Sequence, residues 1–462
     1  MQSEMFEDTI VAVATPPGRG GIAIVRLSGR NALDIALACV PAGSRLGETP
    51  NRAVITDLVN PDLAGEILDR AVVTWFRAPK SYTGEDIVEF SVHGAPVVVD
   101  AALGVLLSLG ARPATPGEFT LRAFLNGRID LTQAEAVRDL VNAQTGHQAR
   151  LAQRQLRGEL SHRLQPLKER LLSLIVQLES TVEFVEDDLE TESRAALVKE
   201  LVSAAADLDA LTASYRLGRL VADGFGVALV GRPNAGKSSL FNRLVRTERA
   251  IVTAMPGTTR DLVSEPVELE GIPVRLVDTA GLREAENEVE QIGVGRTRTA
   301  IVDADVVLVV IDGSLDSSDT VRALLDETRH ATRVVALNKS DLGDPDPSLV
   351  EAIEDSGVSP VSVSALSGEG VDEVRQAVVR AIGGSADLAP SGVLVTNARH
   401  HELLTRASKG MTAASVALSA GYSEEIALVG LHESLQSLGE LTGETVIEDI
   451  LGRIFATFCV GK

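Results

Sequence analysis

Gly231-Arg-Pro-Asn-Ala-Gly-Lys-Ser238 follows the apolar run Val227-Ala-Leu-Val230 and precedes the helix-like Ser238-Ser-Leu-Phe241. A strand, a glycine-bearing loop and a helix in that order form a phosphate cradle, in which backbone N–H groups turn inward at a helix N-terminus. In such a loop Lys237 reaches the β- and γ-phosphates and Ser238 is placed to hold Mg²⁺.

Three further strings follow in order: Gly257-Thr-Thr-Arg-Asp261, Asp278-Thr-Ala-Gly281 and Asn338-Lys-Ser-Asp341. Asp278 ends the apolar run Val274-Arg-Leu-Val-Asp278, the position from which an aspartate supports Mg²⁺ across a sheet. Asp341 follows Arg333-Val-Val-Ala-Leu337, and its carboxylate can accept from the N1–H and N2 amine of guanine. Adenine lacks that amine and presents an acceptor at N1, so such a site rejects it through unpaired polar atoms. Ser364-Ala365 follows Val358-Ser-Pro-Val-Ser-Val363 and fits a loop backing the base. A P-loop guanine-nucleotide domain is therefore expected. Its contacts should run from Asn234 and Ala235 through Gly236, Lys237, Ser238 and Ser239. Thr253, Thr258 and Thr259 should add to them, then Asp278, Thr279, Ala280 and Gly281, and Asn338, Lys339 and Asp341 with Ser364, Ala365 and Leu366 should close the site.

At 462 residues the chain has room for about two to four domains. Hydrophobic content is 45% with 3% aromatic, an ordinary α/β or helical composition. The net charge of −22 argues against indiscriminate nucleic-acid binding, though not against a local basic patch. Arg150, Arg154, Arg157, Arg163, Lys168 and Arg170 recur along what reads as one helix, either a solvated face or an RNA contact. Cys39 and Cys459 lie far apart and show neither disulfide nor zinc spacing, which suggests a reducing compartment. No uncharged apolar stretch reaches the roughly 18 residues of a membrane span. A cytoplasmic location is expected.

Residues 1–118 alternate strand-like runs with helical segments, giving an α+β domain. Thr9–Ala14, Gly21–Leu27, Ala71–Phe76 and Asp86–Val92 read as strands, Asn31–Val40 and Val97–Leu109 as helices. Residues 119–217 read as long amphipathic helices, with Leu167, Leu171, Leu174, Ile175 and Leu178 at helical spacing. The nucleotide domain occupies 218–383, a Gly- and Ser-rich linker begins at Gly383, and helical pattern resumes within 384–462. Helical sequence on both sides implies a nucleotide domain inserted into one bundle.

Further strings carry a resemblance: Ala14-Thr-Pro-Pro-Gly-Arg-Gly-Gly21, Ser81-Tyr-Thr-Gly-Glu-Asp86, Arg112-Pro-Ala-Thr-Pro-Gly-Glu-Phe119, Arg122-Ala-Phe-Leu-Asn126 and Cys459-Val-Gly-Lys462. Along its whole length the chain resembles the MnmE (TrmE) family of bacterial tRNA-modification GTPases. The resemblance implies a homodimer joined through N-terminal domains that bind formyl- or methylene-tetrahydrofolate. It also implies an FAD-dependent partner of the MnmG (GidA) family, with which an aminomethyl or carboxymethylaminomethyl group is added at carbon 5 of wobble uridine in tRNA. The family's folate residues carry onto Arg26, Glu85, Arg128 and Lys462; Arg128 stands where some members have lysine. The family's ending points to a role for Cys459, whereas the apolar Phe455-Ala-Thr-Phe458 that leads into it also suits a buried, inert thiol.

The hydrolytic apparatus departs from the Ras-like pattern, because Leu282 stands where a glutamine would orient water and cannot hydrogen-bond. By resemblance Glu290 takes that duty. Asn234, Thr253, Met255 and Thr258 match the family's potassium site, and Thr259 would hold Mg²⁺. A monovalent cation there can supply the charge an arginine finger brings elsewhere, and the resemblance implies that the G domains dimerise across the nucleotides. The competing reading is a ribosome-assembly or signalling G protein whose flanks do no chemistry.

Overall fold

The computed structural model describes residues 7–63, 65–183, 191–248, 264–270, 272–278, 304–382, 392–445 and 448–461. These group into two compact units. One lies within Met1–Val141, Arg154–Val176 and His432–Lys462, the other within Asn142–Gln153 and Gln177–Leu431.

The first unit holds a sheet of β1 (Ile10–Val13), β2 (Gly20–Ser28), β3 (Ala53–Asn60), β4 (Glu66–Phe76), β5 (Ile87–Gly94) and β6 (Arg112–Pro113). Its order is β3-β4-β5-β2-β1-β6, antiparallel except for the parallel β1–β6 pair. Antiparallel strands can keep one face wet, and β4 shows it: Ala71, Val73 and Trp75 point into the core while Val72 points out. The helices Ala32–Ala38 and Pro96–Ser108 cover the buried face. The strand β3 was not anticipated, because Ala53-Val-Ile-Thr-Asp-Leu-Val-Asn60 lies at the sheet edge with one buried residue and no clean alternation.

The second unit holds β7 (Phe225–Val230), β8 (Ser264–Leu269), β9 (Ile272–Asp278), β10 (Val306–Asp312), β11 (Arg333–Asn338) and β12 (Val361–Val363), in the order β12-β11-β10-β7-β9-β8. All neighbours are parallel except β8, which returns antiparallel to β9. Every residue of β7 and β10 is buried, as a parallel strand with both faces covered requires. β8 carries Pro266, tolerated because the strand is at an edge.

The basic stretch expected as one helix is two, Gly146–Leu156 and Glu159–Glu183, separated at Arg157-Gly158. Gly158 has φ of +79°, where a side chain is strained. Arg154 turns to Glu159 at 2.6 Å and Lys168 is buried against Glu444 at 2.5 Å, so these two cations have protein partners. Leu167, Leu171, Leu174, Ile175 and Leu178 form the buried stripe anticipated for this segment. In the second unit, the helix Thr191–Ala213 packs along Ala398–Ser419, joining helical sequence from either side of the nucleotide domain. Ser408 donates to Asp209 at 2.6 Å between them, and Ser214 accepts from the Val395 N–H at 3.1 Å where the chain enters and leaves. Among the described residues no helix is long and apolar enough to cross a membrane.

Candidate functional site

The loop after β7 places the helix Lys237–Glu248 beneath the C-terminal edge of the parallel sheet, where doubly wound folds bind ligands. Asn234 is held at φ +63°, a conformation asparagine tolerates better than most residues. Gly236, at φ +93°, has no alternative: a Cβ there would lie 2.1 Å from Asn338 Nδ2. The Lys237 ammonium is buried and donates to the Gly231 and Arg232 carbonyls at 2.9 and 2.7 Å. Ser238 Oγ donates to Asp278 Oδ2 at 2.9 Å, so the two expected Mg²⁺-supporting residues are neighbours.

Asn338 spans the site. Its Nδ2 donates to the Ala235 carbonyl at 2.8 Å and its Oδ1 accepts from the Ala365 N–H at 3.0 Å. Lys339 pairs with Asp312 at 2.5 Å. Burial opposes ionisation of Asp312, but hydrogen bonds from Lys339 and Ser314 outweigh it and hold this carboxyl below its ordinary value. Ser364 Oγ donates to Asp341 Oδ1 at 2.5 Å, fixing the carboxylate expected to read the base. A cavity of about 790 Å³ is lined by Gly236, Ser239, Asn338, Lys339, Asp341, Ala365 and Leu366, among others. Thr253, Met255, Thr258, Thr259, Thr279, Ala280, Gly281, Leu282 and Glu290 lie outside the described residues.

A second constellation forms in the first unit from strings far apart in sequence. Arg122, fully buried, donates to Glu85 at 3.1 and 3.2 Å, to Glu118 at 3.0 Å and to Asp8 Oδ1 at 2.7 Å. Ser28 Oγ donates to Glu85 Oε2, which it shares with Arg122, at 2.7 Å, and Asn126 donates to the Thr83 carbonyl at 2.8 Å. Arg26 donates to Glu89 at 2.8 Å and to the Gly461 carbonyl at 3.4 Å, with Phe119 and Tyr82 rings beside its guanidinium. Gly461 sits so close to β1 that a Cβ would lie 2.3 Å from the Val13 carbonyl oxygen. The Arg128 stem flanks Gly84, next to Glu85. Of the four residues expected to bind folate, Glu85 lies in the loop Ser81–Asp86, Arg26 and Arg128 lie beside that loop at Tyr82 and Gly84, and Lys462 lies outside the described residues.

Cys459 is exposed, with its carbonyl accepting from Gly117 N–H at 3.4 Å, while Phe455 and Phe458, both just before it, are buried against Leu131 and Ala134. The alternative of a buried, inert thiol fits Cys39 instead, whose burial pushes it up to about 12. Arg122 carries no role in the sequence motifs, although it stands in a string of mixed charged and apolar residues that forms the helix Glu118–Leu125.

Burial works against the Glu118 carboxylate, yet bonds from Arg112, the Thr115 N–H and Arg122 hold it at about 2. Its ordinary value is 4.5, so ionised Glu118 contributes stability that is complete above about pH 5 and lost as pH falls toward about 2. Trp75 is the single tryptophan and lies in this sheet's core, so its fluorescence reports this unit. The urea midpoint read from it is expected to fall between pH 5 and 3, and Glu118→Gln to flatten that fall. A wild-type midpoint unchanged over that interval would contradict the assignment.

Sheet order, phosphate loop and the Asn338–Asp341 corner define a P-loop G domain, joined to helices and to an α+β N-terminal sheet. Residues 131–459 match the family model described as the MnmE helical domain, and residues 9–128 match that of the GTP-binding protein TrmE N-terminus. Proteins named tRNA modification GTPase MnmE are similar over their full length. That of Koribacter versatilis is 46% identical, with 99% of this chain and 100% of that protein covered. Those of Roseiflexus sp. and Aquifex aeolicus are 44% and 41% identical at the same coverage. The chain belongs to the MnmE family.

Proposed function

We propose that this chain is a GTP-hydrolysing tRNA-modification enzyme. The observation that carries the reading is the Asn338 bridge, which ties the phosphate loop at Ala235 to the base-side loop at Ala365 across one cavity. A nucleotide laid along it meets the Lys237 ammonium at its phosphates and the Asp341 carboxylate at its base. The Ser238 hydroxyl and Asp278 carboxylate are hard oxygen donors at mutual hydrogen-bond distance, a set that suits Mg²⁺ with phosphate oxygens. Bound there, Mg²⁺ offsets phosphate charge in transfer to water. Asn234 presents an exposed carboxamide suited to a monovalent cation, with Thr253, Met255 and Thr258 as its proposed companions and Glu290 as the water-orienting acid.

In the N-terminal unit, the Glu85 carboxylate matches the N–H donors of a pterin, and Arg26, Arg128 and Lys462 match anionic groups of tetrahydrofolate. Residues 1–118 would form the folate-binding and dimerising domain, with the G domain of 218–383 inserted between helical parts at 119–217 and 384–462. The exposed Cys459 stands at the edge of the same constellation. The reaction proposed is modification of carbon 5 of wobble uridine in tRNA, in the cytoplasm and with an FAD-bearing MnmG-family partner.

Convergence of the Ser81, Arg112, Arg122 and Cys459 strings on one place favours this over an assembly or signalling GTPase, whose flanks need no such cluster. Cells lacking the protein are expected to lose the carbon-5 substituent from wobble-uridine nucleosides measured by mass spectrometry. Unchanged nucleosides would return the chain to the assembly-factor class. Hydrolysis is expected to be faster in potassium than in sodium chloride at equal ionic strength; equal rates would sink the cation-assisted mechanism.

A further inference from the structure

The helix that begins at the phosphate loop also grips the base-side loop, through a residue no part of the reading above uses. Arg243 lies about 9 Å along the helix axis from Lys237, at 1.5 Å per residue. Its guanidinium donates to the Leu366 carbonyl at 2.5 Å and the Ala365 carbonyl at 3.4 Å, and its Cζ lies 3.5 Å from where a Gly368 Cβ would sit. It therefore runs along the Ser364–Gly368 turn, whose own bonds are Gly368 N–H to Ser364 O at 2.8 Å and Ser367 N–H to Ser364 Oγ at 3.1 Å. That same Ser364 hydroxyl holds Asp341, and the same turn gives the Ala365 N–H to Asn338.

We infer that Arg243 is a positioning residue for guanine selection: by fixing two carbonyls of the base-side turn to the phosphate-loop helix, it sets the alignment of Asp341. The inference rests on the guanine-nucleotide reading and extends it. A guanidinium suits the task because its planar fork addresses two carbonyls at once, whereas an ammonium acts as a single point. Removing it leaves the Ser364–Asp341 bond in place but frees the turn that carries it.

Inosine nucleotides supply the discriminating probe. Inosine keeps O6 and N1–H but lacks the N2 amine, so it engages the Asp341 carboxylate through one hydrogen bond instead of two. Misalignment of that carboxylate costs guanine more than inosine. With Arg243→Met in the full chain, the Kd for GDP is expected to rise about tenfold, the scale of one charge-assisted hydrogen bond. The preference for GDP over IDP should fall about threefold or more, with kcat at saturating GTP within about twofold of wild type. Arg243→Lys, able to reach one carbonyl, should fall between, and a thermal melt of each variant establishes the folded fraction.

An unchanged GDP Kd overturns the inference. So does an equal loss on GDP and IDP, since a merely structural role weakens both alike. A wild-type chain that binds GDP no better than IDP overturns the guanine reading itself and this inference with it.

Discussion

Arg122→Leu is expected to destabilise the N-terminal unit by about 3–5 kcal/mol, the range found when one member of a buried ion pair is removed and its partners stay charged. Arg122 is fully buried and serves three carboxylates, of Asp8, Glu85 and Glu118. Their prospects differ once it is gone. Asp8 and Glu118 retain Arg112, at 2.5 and 2.6 Å, while Glu85 keeps the Ser28 hydroxyl. Leucine fills much of the volume but leaves the Glu85 carboxylate beside an apolar side chain, and that desolvation dominates the cost. Since several domains need not unfold together, a single whole-chain midpoint would blur the effect. Urea unfolding followed by Trp75 fluorescence isolates it, because that residue is the only tryptophan and belongs to this sheet. A double variant, Arg122→Leu with Glu85→Gln, should recover part of the loss by removing the stranded charge. A loss below about 1 kcal/mol for the single variant would show that the network is not what holds the Ser81–Asp86 loop to the Arg122 helix.

The nucleotide domain was legible because each of its parts is local. A loop between a buried strand and a helix, or a carboxylate just after an apolar run, announces itself within about eight residues, and β7, β9 and β11 stand where those runs predict. β10 was not singled out although Val306–Asp312 is entirely apolar up to its last residue: it carries no motif, and its role is to lie between β7 and β11. The N-terminal constellation was legible only in pieces. Nothing local tells that Gly461 closes on Val13, that Cys459 meets Gly117, or that one arginine joins Asp8 to Glu85; these contacts span from 37 to more than 400 residues. The basic helix was misread for the opposite reason, since charge spacing continued across a glycine that the backbone uses to turn.

Asp341→Asn is expected to lower kcat/KM for GTP on the order of a thousandfold, as for sites whose polar groups are left mismatched, and to raise it for XTP. The direction follows from Ser364. Its hydroxyl donates to Asp341 Oδ1 at 2.5 Å, and an asparagine can keep that bond only by leaving its own Oδ1 on the serine. The amide nitrogen then stands where the second carboxylate oxygen accepted from the base. Guanine offers N1–H and an N2 amine to that place, so donors face donors and both are desolvated without partners. Xanthine carries a carbonyl at C2 and accepts there instead. Asp341 is exposed at the mouth of the cavity, so the exchange should leave the unfolding free energy within about 1 kcal/mol of wild type, and the change in base preference can be read without a folding defect. Steady-state kcat/KM with GTP and XTP on the same preparations measures it. If Asp341→Asn still prefers GTP, the base is read elsewhere, and the Asn338–Asp341 corner serves only to hold the loops together.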